Sequence, residues 1–219
     1  MMYSSRKQKI NYQSILDETI KSIIFNSNNI AKKPNLLLHS CCGPCSSYVL
    51  SYLKDFFNIY LLFYNPNIYP LNEFNHRKEE QLRLLSYPEF SSVNFVESNY
   101  NQEEFFSATK GYENEKEGNK RCEICYKLRL KKVADIAKNL NFDFFTTTLT
   151  VSPYKNSEII NSIGANLEKI TGKRYLLSDF KKKDGYKKSI ELSKKYNLYR
   201  QNYCGCIFSK RWNLKINMD

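Results

Sequence analysis

Glycine and proline are scarce in this chain of 219 residues, at 7 and 6. That scarcity excludes collagen-like repeats and flexible Gly/Pro linkers. There is no internal repeat and no apolar run long enough to span a bilayer; with a mean hydropathy of −0.58, no membrane helix is expected. Met1 to Asn11 carry basic residues but no apolar segment of the kind that marks a secretory signal. The expected location is therefore the cytoplasm, where cysteines seldom end in structural disulfides. With 42% hydrophobic and 15% aromatic residues the chain can build a core, which excludes wholesale disorder. Its length fits an N-terminal helical extension over 1–30 and a single α/β domain over 31–219.

Two things are abundant. Lysine and arginine number 34 against 22 aspartates and glutamates, a net charge of +12. Such a surplus suits a polyanionic partner such as nucleic acid, although a compositional bias with solvated lysines produces the same number. The 7 cysteines fall into three tight groups: Cys41, Cys42 and Cys45; Cys122 and Cys125; Cys204 and Cys206. Cysteines serving only as core residues would be dispersed.

The order of elements locates these groups. Ile15, Thr19, Ile20, Ile23 and Ile24 at helical spacing predict a helix over 11–25. Leu36-Leu37-Leu38-His39 is a strand-like run ending at the first cysteine group, and Pro44 suits the first turn of a helix with Tyr48, Val49, Tyr52 and Leu53 on its apolar face. A strand at 58–64, a turn at 65–70, a charged helix over 71–85 and a strand at 93–96 follow. The polar, acidic, glycine-bounded segment 111–119 predicts a mobile loop or lid. The second cysteine group opens a long helix with Leu128, Val133, Ile136 and Leu140 as its buried stripe. Next come a strand at 142–148 and a helix toward Ile170 capped by Ser152 or Ser157, then a short strand, a basic loop and a helix before the third group. This alternation predicts a Rossmann-like, mainly parallel α/β sheet with helices on both faces and the first cysteines at the carboxyl ends of the strands.

Two cysteines in Cys-x-x-Cys at a helix start share one turn, where the helix N-terminus favours the thiolate. Three chemistries suit the pattern. A structural zinc site, as in a zinc-bound RNA-binding module, needs four thiolates and leaves three cysteines unexplained. A thioredoxin-like thiol-disulfide site is suggested by Cys42-Gly43-Pro44-Cys45 between strand and helix, but Cys41 stands where an aromatic is usual. An iron–sulfur site with a separate dithiol uses the set most fully. Cys204-Gly205-Cys206 suits either a readily reduced redox pair or two further metal ligands. Cysteines occupy the place of a Ser-Gly-Gly phosphate loop after the first strand, so ATP use is not expected.

Five blocks, in order from about residue 36 to 211, resemble the cobalamin-independent epoxyqueuosine reductases of the QueH type. They are His39-Ser40-Cys41-Cys42-Gly43-Pro44-Cys45-Ser46; Phe63-Tyr64-Asn65-Pro66-Asn67-Ile68; Arg121-Cys122-Glu123-Ile124-Cys125-Tyr126; Thr147 to Tyr154; and Gly185-Tyr186-Lys187-Lys188-Ser189 through Leu198 to Cys206. Tyr69 departs from the pattern, standing where the family is expected to carry His. The resemblance implies a HUP-like fold of the adenine-nucleotide-hydrolase kind. It implies reduction of the epoxide of epoxyqueuosine to queuosine at the wobble position of tRNA, the last step of queuosine biosynthesis, without cobalamin.

By the same resemblance, Cys41, Cys42, Cys122 and Cys125 ligate a 4Fe-4S cluster, Cys204 and Cys206 form a redox-active disulfide, and an unidentified donor supplies electrons. Cys45 is left over: it helps hold a second iron, contacts the substrate oxygen, or caps the helix start. Residues 1–30 lie beyond the match and carry no site. A modified base in an anticodon loop must be unstacked into a pocket. Tyr64, Asn65, Arg121, Tyr154, Lys187 and Arg200 are the candidate substrate contacts, and Tyr69 a further stacking residue. Asp179, Asp184, Tyr64 and Tyr203 are candidate proton donors. The basic residues Lys173, Arg174, Lys181, Lys182, Lys183, Lys187, Lys188 and Arg200 are expected on phosphates.

Overall fold

The computed structural model describes residues 10–27 and 33–209; the outer ends of the 1–30 and 31–219 spans, and the last residues of the sequence resemblance, lie outside the described residues. Leu36, Leu37 and Leu38 are all buried completely, which requires a strand covered on both faces. Five strands meet that need: β1 (Asn35–His39), β2 (Asn58–Leu62), β3 (Asn94–Val96), β4 (Phe144–Thr147) and β5 (Arg174–Tyr175). They form one parallel sheet in the order β3-β2-β1-β4-β5.

Because side chains alternate along a strand, the two faces of β1 feed two cores. Leu36 and Leu38 join Leu16, Ile20, Val49, Leu53 and Leu84, contributed by α1 (Tyr12–Ser27), α2 (Gly43–Leu53) and α3 (Leu71–Leu85). Leu37 joins Tyr126, Leu130, Val133, Ile160 and Leu167 of α5 (Lys120–Asn139) and α6 (Ser157–Thr171). The remaining helices are α4 (Gln102–Thr109) and α7 (Gly185–Lys195), the latter packed on α2. The parallel α/β architecture is as predicted, with helices on both faces.

Three local expectations are corrected. The buried stripe of α5 is Tyr126, Leu130, Val133, Ala134 and Ala137, whereas Leu140 is the C-terminal cap and 63% exposed. Two small alanines let α5 approach the sheet closely, which sets the stripe around them. The cap of α6 is Asn156, whose side chain accepts from the N–H groups of Glu158 and Ile159; Ser157 is already helical and Ser152 lies outside. The strands predicted at 58–64 and 142–148 end at Leu62 and Thr147, the second giving way to a 3-10 turn over Thr148–Val151.

The strand order reverses between β1 and β4, and ligands of such sheets sit in the crevice beyond the carboxyl ends at that reversal. Cys41 follows β1 there, with its N–H donating to Thr148 Oγ1 at 3.3 Å just after β4.

Candidate metal and redox centre

The turn from β1 into α2 gathers three sulfurs. Cys42 takes the N-cap position, Pro44 falls in the first turn, and Cys45 lies inside the helix, so Cys45 does not cap it. The Sγ atoms of Cys41, Cys42 and Cys45 all lie within 4.8 Å of one another, with Cys41 and Cys42 3.7 Å apart. Hydrogen bonds from Cys42 and then Cys45 hold the Cys41 thiol well below its ordinary range. Their reciprocal effect, with burial, pushes Cys42 up to about 11 and Cys45 well up. Of the three, Cys41 is the thiol whose ionisation its neighbours favour. Beneath it His39 is buried, its Nδ1 3.0 Å or less from a hydroxyl: 2.8 Å from Thr147 Oγ1, with Nε2 3.0 Å from the Tyr64 carbonyl. The carbonyl can only accept, so Nε2 carries the proton, and burial together with Arg129 lowers the imidazole pKa to about 4.

The first two turns of α5 supply Cys122 and Cys125, both raised chiefly by burial, Cys125 to about 11. Cys204 and Cys206 are free thiols 3.5 Å apart. The hydrogen bond between the two lowers Cys204 to about 6 and raises Cys206. All seven cysteines line a single cavity of about 760 Å³. Among the described residues its charged lining is five cations, Arg77, Arg121, Arg129, Lys155 and Arg200, against one carboxylate, Glu117. The cavity therefore favours anions and thiolates.

Of the other candidates, Asn65, Arg121, Tyr154 and Arg200 line this cavity, and Tyr64 and Lys187 do not. Tyr64 is buried, donates its phenol to Glu104, and has Lys132 Nζ 5.7 Å from its ring centre. Lys187 is exposed on α7. Asn65 Nδ2 donates to the Ser40 carbonyl at 2.8 Å, anchoring the loop after β2 to the loop after β1. Arg121 is 1% exposed and turns inward: Nη1 donates to the carbonyls of Tyr112 and Glu113, each at 3.1 Å, and to that of Glu115. It pins the 111–119 loop to α5. Tyr154 stands at the cavity lip, 77% exposed. Tyr69 gives its backbone N–H to the Gly205 carbonyl at 2.9 Å, outside the cavity lining.

Of the candidate proton donors only Tyr203 reaches the cavity; Asp179 pairs with Lys181 at 2.6 Å, and Asp184 and Tyr64 are elsewhere. Much of the basic stretch is engaged internally: Lys183 bonds Asp17 at 2.7 Å, and Arg174 lies 4.3 Å over the Phe144 ring. Sequence reasoning missed Arg77, Arg129 and Lys155, which stand outside the quoted cysteine motifs. For Lys155 one signal existed, its place directly after the Thr147 to Tyr154 block.

Soft thiolates from two helix starts on one cavity make a donor set compatible with an iron–sulfur cluster. Among solved structures, the U34-tRNA thiolase NcsA from Methanococcus maripaludis with its 4Fe-4S cluster aligns at a TM-score of 0.46 and 13% identity, covering 98% of this chain and 82% of that one. Epoxyqueuosine reductase QueH from Streptococcus pyogenes serotype M1 is 39% identical over 209 residues, covering 93% of this chain and 80% of that protein. The QueH of Staphylococcus aureus is 40% identical over 211 residues, covering 93% and 85%, and that of Thermotoga maritima is 37% identical over 177 residues, covering 80% and 89%. A family model described as epoxyqueuosine reductase QueH matches residues 36–212, from the first residues of β1 past the last cysteine pair. With the match spanning every cysteine of the cavity, the chain belongs to the epoxyqueuosine reductase QueH family.

Proposed function

We propose that this chain reduces the epoxide of epoxyqueuosine to queuosine at the wobble position of tRNA, using an iron–sulfur cluster and the Cys204–Cys206 pair. The observation that carries this reading is the convergence of all seven cysteines on one cation-rich cavity in a chain of this family. Cys41, Cys42, Cys122 and Cys125 would hold the cluster as 4Fe-4S. Such a cluster, when bound, supplies single electrons at low potential.

The reaction breaks both C–O bonds of the epoxide, leaves a carbon–carbon double bond, and consumes two electrons and two protons to release water. Closing Cys204 and Cys206 to a disulfide releases two electrons, so one turnover of the pair matches the electron demand; Cys206 brings one proton and, with Cys204 lowered to about 6, solvent brings the other. An external reductant then reopens the pair. Cys45 faces the same space, free to touch the substrate oxygen or a second iron. The reacting base must leave its stack to reach buried sulfurs, which an anticodon loop permits at low cost. Tyr154 at the lip offers the stacking surface, and Asn65 and Arg200 line the path inward.

The test is anaerobic incubation of cluster-loaded protein with epoxyqueuosine-containing tRNA and a reductant, reading the nucleoside by mass. Loss of one oxygen is the expected result. A retained epoxide with iron and sulfide at full content, or stoichiometric zinc without sulfide, would retire the reading.

A further inference from the structure

Four of the five cations lining the cysteine cavity have partners. Arg77 Nε donates to Glu73 at 2.7 Å and Nη1 to the Cys204 carbonyl at 3.2 Å. Arg121 is held by the carbonyls of the 111–119 loop. Arg129 Nε donates to the Cys125 carbonyl at 3.3 Å, and Arg200 Nη1 to Ser193 Oγ at 3.3 Å. The lone carboxylate is also engaged, Glu117 accepting from Ser209 Oγ at 2.9 Å. Lys155 is different: among the described residues its ammonium has no hydrogen-bond or ion-pair partner.

Its position is built. The Lys155 N–H donates to the Ser152 carbonyl at 3.2 Å, closing a turn against the Asn156 cap of α6, and the Tyr154 N–H donates to Ser152 Oγ at 3.3 Å. From this turn Tyr154 points out to solvent, whereas Lys155 is half-buried. It lines the cavity shared by all three cysteine groups.

We propose that the Lys155 ammonium binds the epoxide oxygen of the substrate and stabilises the negative charge that builds on it as the C–O bonds break. The inference rests on the reductase reading above. An ammonium is a compact charge with three rotatable donors, suited to following an oxygen that moves away from carbon. In a water-poor site such a donor acts most strongly where charge develops. Lys155 is not consumed: closing the Cys204–Cys206 pair to a disulfide supplies both electrons and the Cys206 proton, and solvent supplies the second proton of the water released. Lys155 also borders a second cavity of about 950 Å³, toward Lys181, Lys182 and Lys183, so an RNA phosphate is the rival ligand. The thiols around the ammonium favour the oxygen, because a phosphate would have to enter among sulfurs.

The experiment compares cluster-loaded enzyme, its Cys204–Cys206 pair first oxidised to the disulfide and no reductant added, binding two tRNAs that differ only in the epoxide oxygen, one carrying epoxyqueuosine and the other queuosine. Wild type is expected to bind the epoxide form several-fold more tightly. Lys155→Met, which orphans no partner, is expected to abolish that preference, keep the affinity for queuosine tRNA, and lower turnover by about 10²-fold, the size seen when one such donor is lost. Lys155→Arg is expected to recover part of both, which also guards against misfolding of the Met variant. A wild type without preference, or a preference that survives in Lys155→Met, overturns the proposal. So does an equal loss for both tRNAs with a salt slope reduced by about one, which identifies a phosphate contact. An altered cluster signal with intact preference also overturns it, making Lys155 a counter-ion of the thiolates. Failure of wild type to reduce epoxyqueuosine would instead sink the parent reading.

Discussion

Gly205 shows how one residue places the thiol pair. Its φ of +104° lies where side chains are strained, and a Cβ there would come 2.8 Å from Arg77 Nη1 and 3.1 Å from Ile68. The backbone of the pair therefore lies directly on the guanidinium that donates to the Cys204 carbonyl, while the Tyr69 N–H donates to the Gly205 carbonyl. Gly205→Ala adds strain of about 1–3 kcal/mol and lifts the loop from α3. A shift of about 1 Å costs about 10²-fold in rate when groups must meet. The expected outcome is turnover lowered by about that factor, faster alkylation of Cys204 and Cys206, and unchanged tRNA affinity; labelling kinetics beside turnover check it. Unchanged labelling would show that the loop tolerates the methyl group where it stands.

At the scale of elements, α1 sits outside the family match at 36–212 yet is part of the core. Leu16 is fully buried and Ile20 nearly so, against α2 and the first face of the sheet. Leu16→Ala is expected to cost about 2–5 kcal/mol, read as a lower denaturation midpoint at unchanged slope. Asp17 clips the same helix down: its carboxylate accepts from Lys183 at 2.7 Å, Tyr52 at 2.9 Å and Gln13 at 3.0 Å. Burial alone would raise the Asp17 pKa, and these bonds overcome it, so the folded value lies below the ordinary one. The unfolded chain therefore binds the proton first, and the contribution is present above the ordinary carboxylate range near pH 4 and lost as pH falls through the folded value. Asp17→Asn is expected to cost on the order of 1 kcal/mol at pH 7 and progressively less below about pH 4; denaturation of both proteins across that range tests it. The sequence placed α1, α3 and the cysteine turns well because hydrophobic period and proline position are local signals. It misplaced the α5 stripe because the depth at which a helix meets a sheet depends on Ala134 and Ala137 facing partners far away in the chain. Tyr64 and Arg121 fell inside motifs, yet Tyr64 bonds Glu104 outside the cavity lining, and Arg121 bonds the 111–119 backbone while lining the cavity; motif membership does not reveal direction. Lys155 escaped notice because its isolation among thiols exists only after folding.

For the whole molecule, the charge of +12 overstates what is available to RNA. Lysines Lys78, Lys131, Lys181, Lys183 and Lys195 all hold carboxylates of the chain itself. In the run at 181–183, Lys181 bonds Asp179 and Lys183 bonds Asp17, whereas exposed Lys182 has no side-chain partner among the described residues. Each phosphate neutralised by a protein cation contributes about 0.7–0.9 to the slope of log affinity against log salt. If all three lysines sat on phosphates, replacing them by glutamine would lower the slope by about two to three. The internal pairs argue for a fall of about one, nearly all reproduced by Lys182→Gln alone. Titration of tRNA binding across salt for the triple and single variants separates the outcomes. A drop of two or more in the triple variant would mean that RNA pulls Lys181 and Lys183 away from their carboxylates, in which case Asp17 would be released on binding and α1 would loosen as the tRNA docks.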